Sequence, residues 1–291
     1  MKSLLDVPAP AKLNLFLHVT GRRNDGYHLI QSAFMLLDWH DVLHFEVRSD
    51  GQITREDLAF GLPDDDLCVR AAKSLQRAAS SPLGVHIGIR KQIPVQAGMG
   101  GGSSDAATCL LALNRLWGLG WSVEQLIQVG VTLGADVPFF LGGHNAWVEG
   151  IGEKITPIAL PATRLAVVKP RAGLDTRLIF SDRDLKRDSE TATITGFAAN
   201  ASGNCINYGR NDLQSVAQKL CPDVTQALDW LESNGLSGRM TGSGSAVFAQ
   251  VPQNADQEFL GSLRAAPDGF QVKLCRSLDV HPLLGWASSD G

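Results

Sequence analysis

Residues 94–107 read Pro94-Val95-Gln96-Ala97-Gly98-Met99-Gly100-Gly101-Gly102-Ser103-Ser104-Asp105-Ala106-Ala107. Four glycines within five positions free the backbone to take positive φ and bring its N–H groups close to a ligand. A helical pattern follows: Ala106, Leu110, Leu113 and Trp117 recur as one apolar stripe that stops before Gly118, with Ser103 or Ser104 placed to cap its start. A helix starting directly after such a loop offers unpaired N–H donors and the positive end of its dipole, so an anion is the natural ligand. The plainer reading is a flexible turn before a capped helix. A P-loop would end in Gly-Lys-Ser/Thr, and the dinucleotide fingerprint would place a third glycine where Ser103 stands; this stretch has neither. Any phosphate held here is therefore held by amides and hydroxyls.

Around this loop the chain has 291 residues, 44% of them hydrophobic, which is enough for a real core and for two ordinary domains. Gly150, Gly152, Pro157 and Pro161 suggest the junction. The net charge of -4 and the lack of a basic tract argue against a nucleic-acid partner. With no signal-peptide h-region and no run of eighteen apolar residues, a soluble cytoplasmic protein is expected, with no membrane partner. Five cysteines without a Cys-x-x-Cys pair read as free thiols.

From Lys12 the sequence alternates, with Leu13, Leu15, Leu17 and Val19 on one strand face and Lys12, Asn14, Phe16 and His18 on the other. Lys12 and Asn14 would then lie about 7 Å apart and could converge on one ligand. An ordinary exposed strand face is the competing reading. Tyr27 and His28, after the polar turn at residues 21–26, stand at a loop edge as either a base-binding or a surface-packed pair. Strands are expected at residues 29–37, 43–48 and 85–90, helices at 67–79 and 123–133, and an edge strand at 146–149. Asp136, two residues before Pro138, reads either as a helix cap or as a general base or charge partner. In the second half, strands are expected at residues 165–169, 246–251 and 270–274. Helices are expected at 211–220, 222–233 and 255–265, with a short helix or turn at 174–180. Residues 181–193 read as a solvated loop. Thr241-Gly242-Ser243-Gly244-Ser245 is a second small-residue loop, either tight turn or site, and residues from Ser288 onward are expected to be disordered.

Taken together, Pro10-Ala11-Lys12-Leu13-Asn14-Leu15, Gly26-Tyr27-His28, residues 94–107, Leu133-Gly134-Ala135-Asp136-Val137-Pro138 and residues 241–245 resemble the GHMP small-molecule kinases. They are most similar to the branch whose acceptor is a CDP-linked methylerythritol. The resemblance spans residues 8–248. It implies an α+β fold in two parts: residues 1–160 like ribosomal protein S5 domain 2, and residues 161–291 ferredoxin-like and contributing to substrate binding. It also implies ATP-dependent phosphorylation of the 2-hydroxyl of that acceptor in isoprenoid precursor synthesis, with Mg2+ bridging the phosphates. Carried over, Asp136 takes the hydroxyl proton and Lys12 orients it and steadies the phosphoryl charge. Pro94, Val95, Gln96, Ala97, Gly98, Met99, Gly100, Gly101, Gly102, Ser103 and Ser104 hold ATP. Asn14, Tyr27, His28, Thr176 and Phe180 would contact the cytidine end, Phe180 by stacking. Magnesium ligands and oligomeric state are not implied.

Four residues depart from the pattern: Met99 for leucine, Asp66 for asparagine near the adenine pocket, Arg177 for proline, and Asp105, whose charge is expected to cap the helix and point away from phosphate. The alternatives are a mevalonate- or homoserine-type kinase of the same family, or a non-catalytic S5-like RNA-binding protein.

Overall fold

The computed structural model describes residues 2–288. Two long antiparallel strands, β1 (Ser3–Arg22) and β2 (His28–Arg48), form its spine. One edge of β2 carries β1. The other is shared in succession by β5 (Ala146–Gly150), β10 (Gln271–Leu278) and β4 (Gly84–Arg90). β3 (Ile53–Asp57) runs parallel to β4, and β6 (Lys154–Pro157) flanks β5. Beyond β2, β10 pairs with β7 (Arg164–Lys169), followed by β9 (Val247–Gln250) and β8 (Gly238–Met240), so one sheet path runs through both halves of the chain. The first half carries α1 (Leu67–Ala78), α2 (Gly101–Leu116), α3 (Val123–Gly130) and α4 (Val137–Gly142). The second carries α5 (Thr176–Ser181), α6 (Ile194–Asn204), α7 (Gln214–Leu220), α8 (Pro222–Ser233) and α9 (Gln257–Arg264).

The two strands expected at residues 29–37 and 43–48 are one. Asp38, His40 and Asp41 break the apolar pattern, but Trp39 and Asp41 are buried, and Asp41 is satisfied by Lys91 and by the N–H groups of Gln92 and Ile93. A buried polar group with partners does not end a strand. The strict alternation expected for β1 also fails. A register shift between Asn14 and Leu17 puts Leu13, Leu15 and Phe16 in one core cluster and Leu17 and Val19 in another, as a bulge does. β5 is not an edge strand, since β2 and β6 flank it. The short β3, β6 and β8, and α6, escaped the sequence reading.

α2 buries the expected stripe of Ala106, Leu110, Leu113 and Trp117, and also Asp105, Thr108 and Asn114 on its other faces. It is a central helix packed on α1, α4 and β1. Its N-cap is Gly100, at φ 70°, with no side-chain cap bond. Neither serine caps it, because both lie inside the first turn, where the Ser104 N–H already bonds to the Gly100 carbonyl at 2.9 Å. The five cysteines are free and buried. Among the described residues no helix is long and apolar enough to cross a membrane. Of the expected disordered tail, Ser288 is bridged to Ser122, and residues 289–291 lie outside the described residues. Leu283 and Ala287 complete the core of the first half.

Candidate active site

A cleft of about 1350 Å³ runs from the start of α2 to the turn between β1 and β2. Its floor is the glycine loop. Gln96, Gly98 and Gly100 take φ of 52°, 72° and 70°, the left-handed region in which glycine is unstrained. At Gly98 space also demands glycine, and at Gly100 it is tight. A Cβ on Gly98 would lie 2.2 Å from the Thr241 carbonyl oxygen, and one on Gly100 would lie 3.0 Å from Phe140 Cζ and 3.2 Å from Lys12 Cε. The loop is thus pressed between the 241–245 loop and the Lys12 side chain. The N–H groups of Ser245 and Ala246 bond to the carbonyls of Gln96 and Ala97 at 3.1 and 3.3 Å, so the second small-residue loop braces the first. Gly101, Gly102 and Ser103 open α2 on the cleft, with first-turn N–H groups that have no acceptor in the helix. Ser104 does not reach the cleft; its hydroxyl is buried behind the loop with no bonded partner.

Beside the loop, β1 presents Lys12, which is 4% exposed. Its Nζ donates to Asn14 Oδ1 at 2.5 Å, lies 3.3 Å from Asp136 Oδ2 and sits over the Phe34 ring, 4.4 Å from the centroid. Asn14 is fixed in turn: its amide donates to Ser32 Oγ, and its backbone N–H to Thr241 Oγ1, each at 2.9 Å. Lys12 and Asn14 are therefore neighbours, as expected, but on a buried face. Asp136 is the N-cap residue of α4 by position but makes no side-chain cap bond, so its carboxylate is left for Lys12 and the cleft.

Beneath the loop lies a group that sequence reading missed. Lys91 Nζ contacts Asp105 Oδ2 at 2.6 Å and pairs closely with Asp41, and it would meet a Cβ on Gly101 at 3.4 Å. Asp105 does turn away from the cleft, but into this ion cluster, not to cap the helix. Burial, the largest influence, pushes its carboxyl up to about 8, against the pull of Lys91. Burial opposes the charge on Lys91 as well, but the two carboxylates outweigh it and hold the ammonium above its ordinary range.

At the far end, the His28 ring leans on Phe180 with centroids 4.9 Å apart and planes tilted by 33°. Tyr27 stands exposed at the rim, and Thr176 Oγ1 shares a 2.6 Å hydrogen bond with Ser243 Oγ. Arg177 causes no disruption: its N–H bonds to the Asp175 carboxylate, which caps α5. Residues 181–193 are not simply solvated, for Leu185 and Ser189 are buried and Arg187 Nε donates to His28 Nε2 at 3.0 Å. Asp66 caps α1 through the Val69 N–H and pairs with Arg55 at 3.2 Å, so its charge is already neutralised. Met99 is buried in the core, where an unbranched apolar side chain fits.

Every expected site residue except Ser104 lines this cleft. A triphosphate fits the glycine floor, the free N–H groups and the flanking ammonium of Lys12. Among the described residues no three His, Cys, Asp or Glu side chains cluster as a metal site.

Comparison with known proteins gives a consistent set of matches. Residues 66–144 match the family model for the GHMP kinases N terminal domain, and residues 190–268 that for GHMP kinases C terminal. The chain is 72% identical over 290 residues to the 4-diphosphocytidyl-2-C-methyl-D-erythritol kinase of Albidiferax ferrireducens, covering 100% of this chain and 98% of that one. It superposes on the crystal structure of a 4-(cytidine 5'-diphospho)-2C-methyl-D-erythritol kinase with a TM-score of 0.79 at 31% identity, covering 95% and 99% of the two chains. The Methanococcus jannaschii mevalonate kinase shares the fold, with a TM-score of 0.69 at 15% identity over 95% and 98%.

Proposed function

The chain belongs to the GHMP kinases, and from that premise we propose that it transfers the γ-phosphoryl group of ATP to the 2-hydroxyl of 4-diphosphocytidyl-2-C-methyl-D-erythritol. Residues 1–160 would bind ATP, and residues 161–291 would supply part of the acceptor site. The observation that carries the reading is the Lys12–Asp136 pair, set 3.3 Å apart beside the glycine floor.

The acceptor hydroxyl binds against the Lys12–Asp136 pair, within reach of both side chains. Asp136 takes its proton as the oxygen attacks phosphorus; the new O–P bond forms while the bond from the γ-phosphorus to the bridging oxygen of ADP breaks. Lys12 balances charge on the oxygens in transit, and Asn14 keeps its ammonium aimed. The glycine loop and the first turn of α2 hold the phosphates, which fixes the donor in line. When bound, magnesium supplies further neutralisation of the phosphate oxygens. His28 and Phe180 hold the cytosine, while Tyr27 and Thr176 close the pocket edge.

Transfer of label from [γ-32P]ATP to the CDP-linked acceptor, with mevalonate as the parallel acceptor, tests the assignment. Labelling of the first alone supports it. Labelling of mevalonate, or of neither, overturns it.

A further inference from the structure

His28 faces the base end of the cleft, and what it can offer a ligand depends on which ring nitrogen bears its proton. Arg187 Nε–H donates to His28 Nε2 at 3.0 Å. A guanidinium has only donors and keeps its protons, so Nε2 must be the lone-pair nitrogen. The proton of a neutral imidazole in this pairing is on Nδ1. Arg187 is itself held by three carbonyls: those of Leu185, Phe180 and Asp182, at 3.0, 3.0 and 2.7 Å. Its fork is thus pinned to the segment that carries Phe180, the ring against which His28 leans. Burial lowers the pKa of His28, and the charges of Arg187 and Arg22 lower it further, so the ring is neutral in neutral solution.

We propose that Arg187 is a positioning residue that fixes His28 as an Nδ1–H donor and thereby makes the base pocket prefer cytosine to uracil. The proposal rests on the reading of this cleft as a cytidine site. A pyrimidine presents O2 and the 3-position along one edge. In cytosine both are acceptors, and a fixed N–H donor matches them. In uracil the 3-position is itself an N–H, so donor meets donor and a partly buried group is left unpaired. A mismatch of one such hydrogen bond costs on the order of tenfold in binding. Were Nε2 protonated instead, Nδ1 would become an acceptor and the preference would weaken or reverse.

Two measurements test this on the whole chain. In 15N NMR of the ring nitrogens of wild-type protein at neutral pH, His28 is expected to carry its proton on Nδ1; a proton on Nε2 overturns the proposal even if no variant folds. In competition experiments, wild-type enzyme is expected to bind CMP better than UMP. Arg187→Met should lose about tenfold of that preference, with KM for the cytidine acceptor raised and kcat little changed. Arg187→Lys, which retains one donor, should recover part of it. A folded Arg187→Met enzyme with the wild-type CMP:UMP ratio overturns the role of Arg187. A wild-type enzyme indifferent to the two nucleotides overturns the cytidine reading itself, a failure distinct from the first.

Discussion

Gly98 and Thr241 lie so close that no side chain can stand between them: a Cβ on the glycine would lie 2.2 Å from the threonine carbonyl oxygen. Gly98 also has φ 72°, so Gly98→Ala combines strain with collision. The two loops must separate, and Asn14, whose N–H is held by Thr241, moves with them. The variant should lose several kcal/mol of stability and most of its activity. Urea unfolding with a parallel rate assay checks this, and near-wild-type stability would show that the loops are not locked together.

Lys12→Ala and Asp136→Asn should each lower turnover by on the order of a hundredfold or more, with ATP still bound, because the proposed mechanism puts both on the reacting atoms and neither in the glycine floor. Steady-state kinetics with ATP binding measured separately will decide. Retention of full activity in either variant would falsify its role.

The ion cluster under the loop gives opposite expectations for its two carboxylates. In the folded state Asp105 keeps its proton up to about pH 8, far above the unfolded value, so folding grows less favourable as pH rises between those limits. Asp105→Asn replaces a protonated acid with a neutral amide and should be as stable as wild type, or more so, at pH 8. Asp41→Asn should destabilise by about 1–3 kcal/mol, since Asp41 accepts from Lys91 and from two backbone N–H groups. Denaturation of both variants at pH 6 and pH 8 separates them. A destabilised Asp105→Asn would mean that the cluster needs its second negative charge.

Burial lowers His281 to about 4, while its Nδ1 accepts the Leu283 N–H. Between pH 6.5 and 4 the unfolded chain binds this proton and the folded chain does not, so stability falls as pH drops through that window, by about 3 kcal/mol in all. His281→Asn, which keeps an acceptor and removes the titration, should flatten that part of the profile. His18 and His28 shift in the same direction, so the difference between variant and wild type is the quantity to read.

The glycine loop was legible because its local pattern shows its physics, positive φ and a helix start; Lys12, Asn14 and Asp136 were left open between structural and functional readings by their own patterns, and only the family resemblance singled them out. The cluster of Lys91, Asp41 and Asp105 was not legible. Each is an ordinary surface residue type by itself, and Lys91 and Asp41 stand 50 positions apart in the chain. Arg187 was hidden in the same way, in a doubly signed run that composition assigns to solvent, 159 positions from His28. The capping expectation at Ser103 and Ser104 failed because Gly100 can take the left-handed conformation before the helix, so the serines fall one turn too late. β2 read as two strands because its central polar residues find partners only in three dimensions.

β10 pairs with β2 on one side and β7 on the other, and just after it the N–H of His281 bonds to the Gly143 carbonyl at 2.8 Å, at the end of the helix that Asp136 begins. Assembly of the first half is therefore a long-range event. Its central strand stays open along part of one edge, and its core lacks Leu283 and Ala287, until segments more than two hundred residues downstream arrive. Such high sequence separation slows folding. The sheet that joins the two halves therefore ties the folding of the first to strand contacts made near the end of the second.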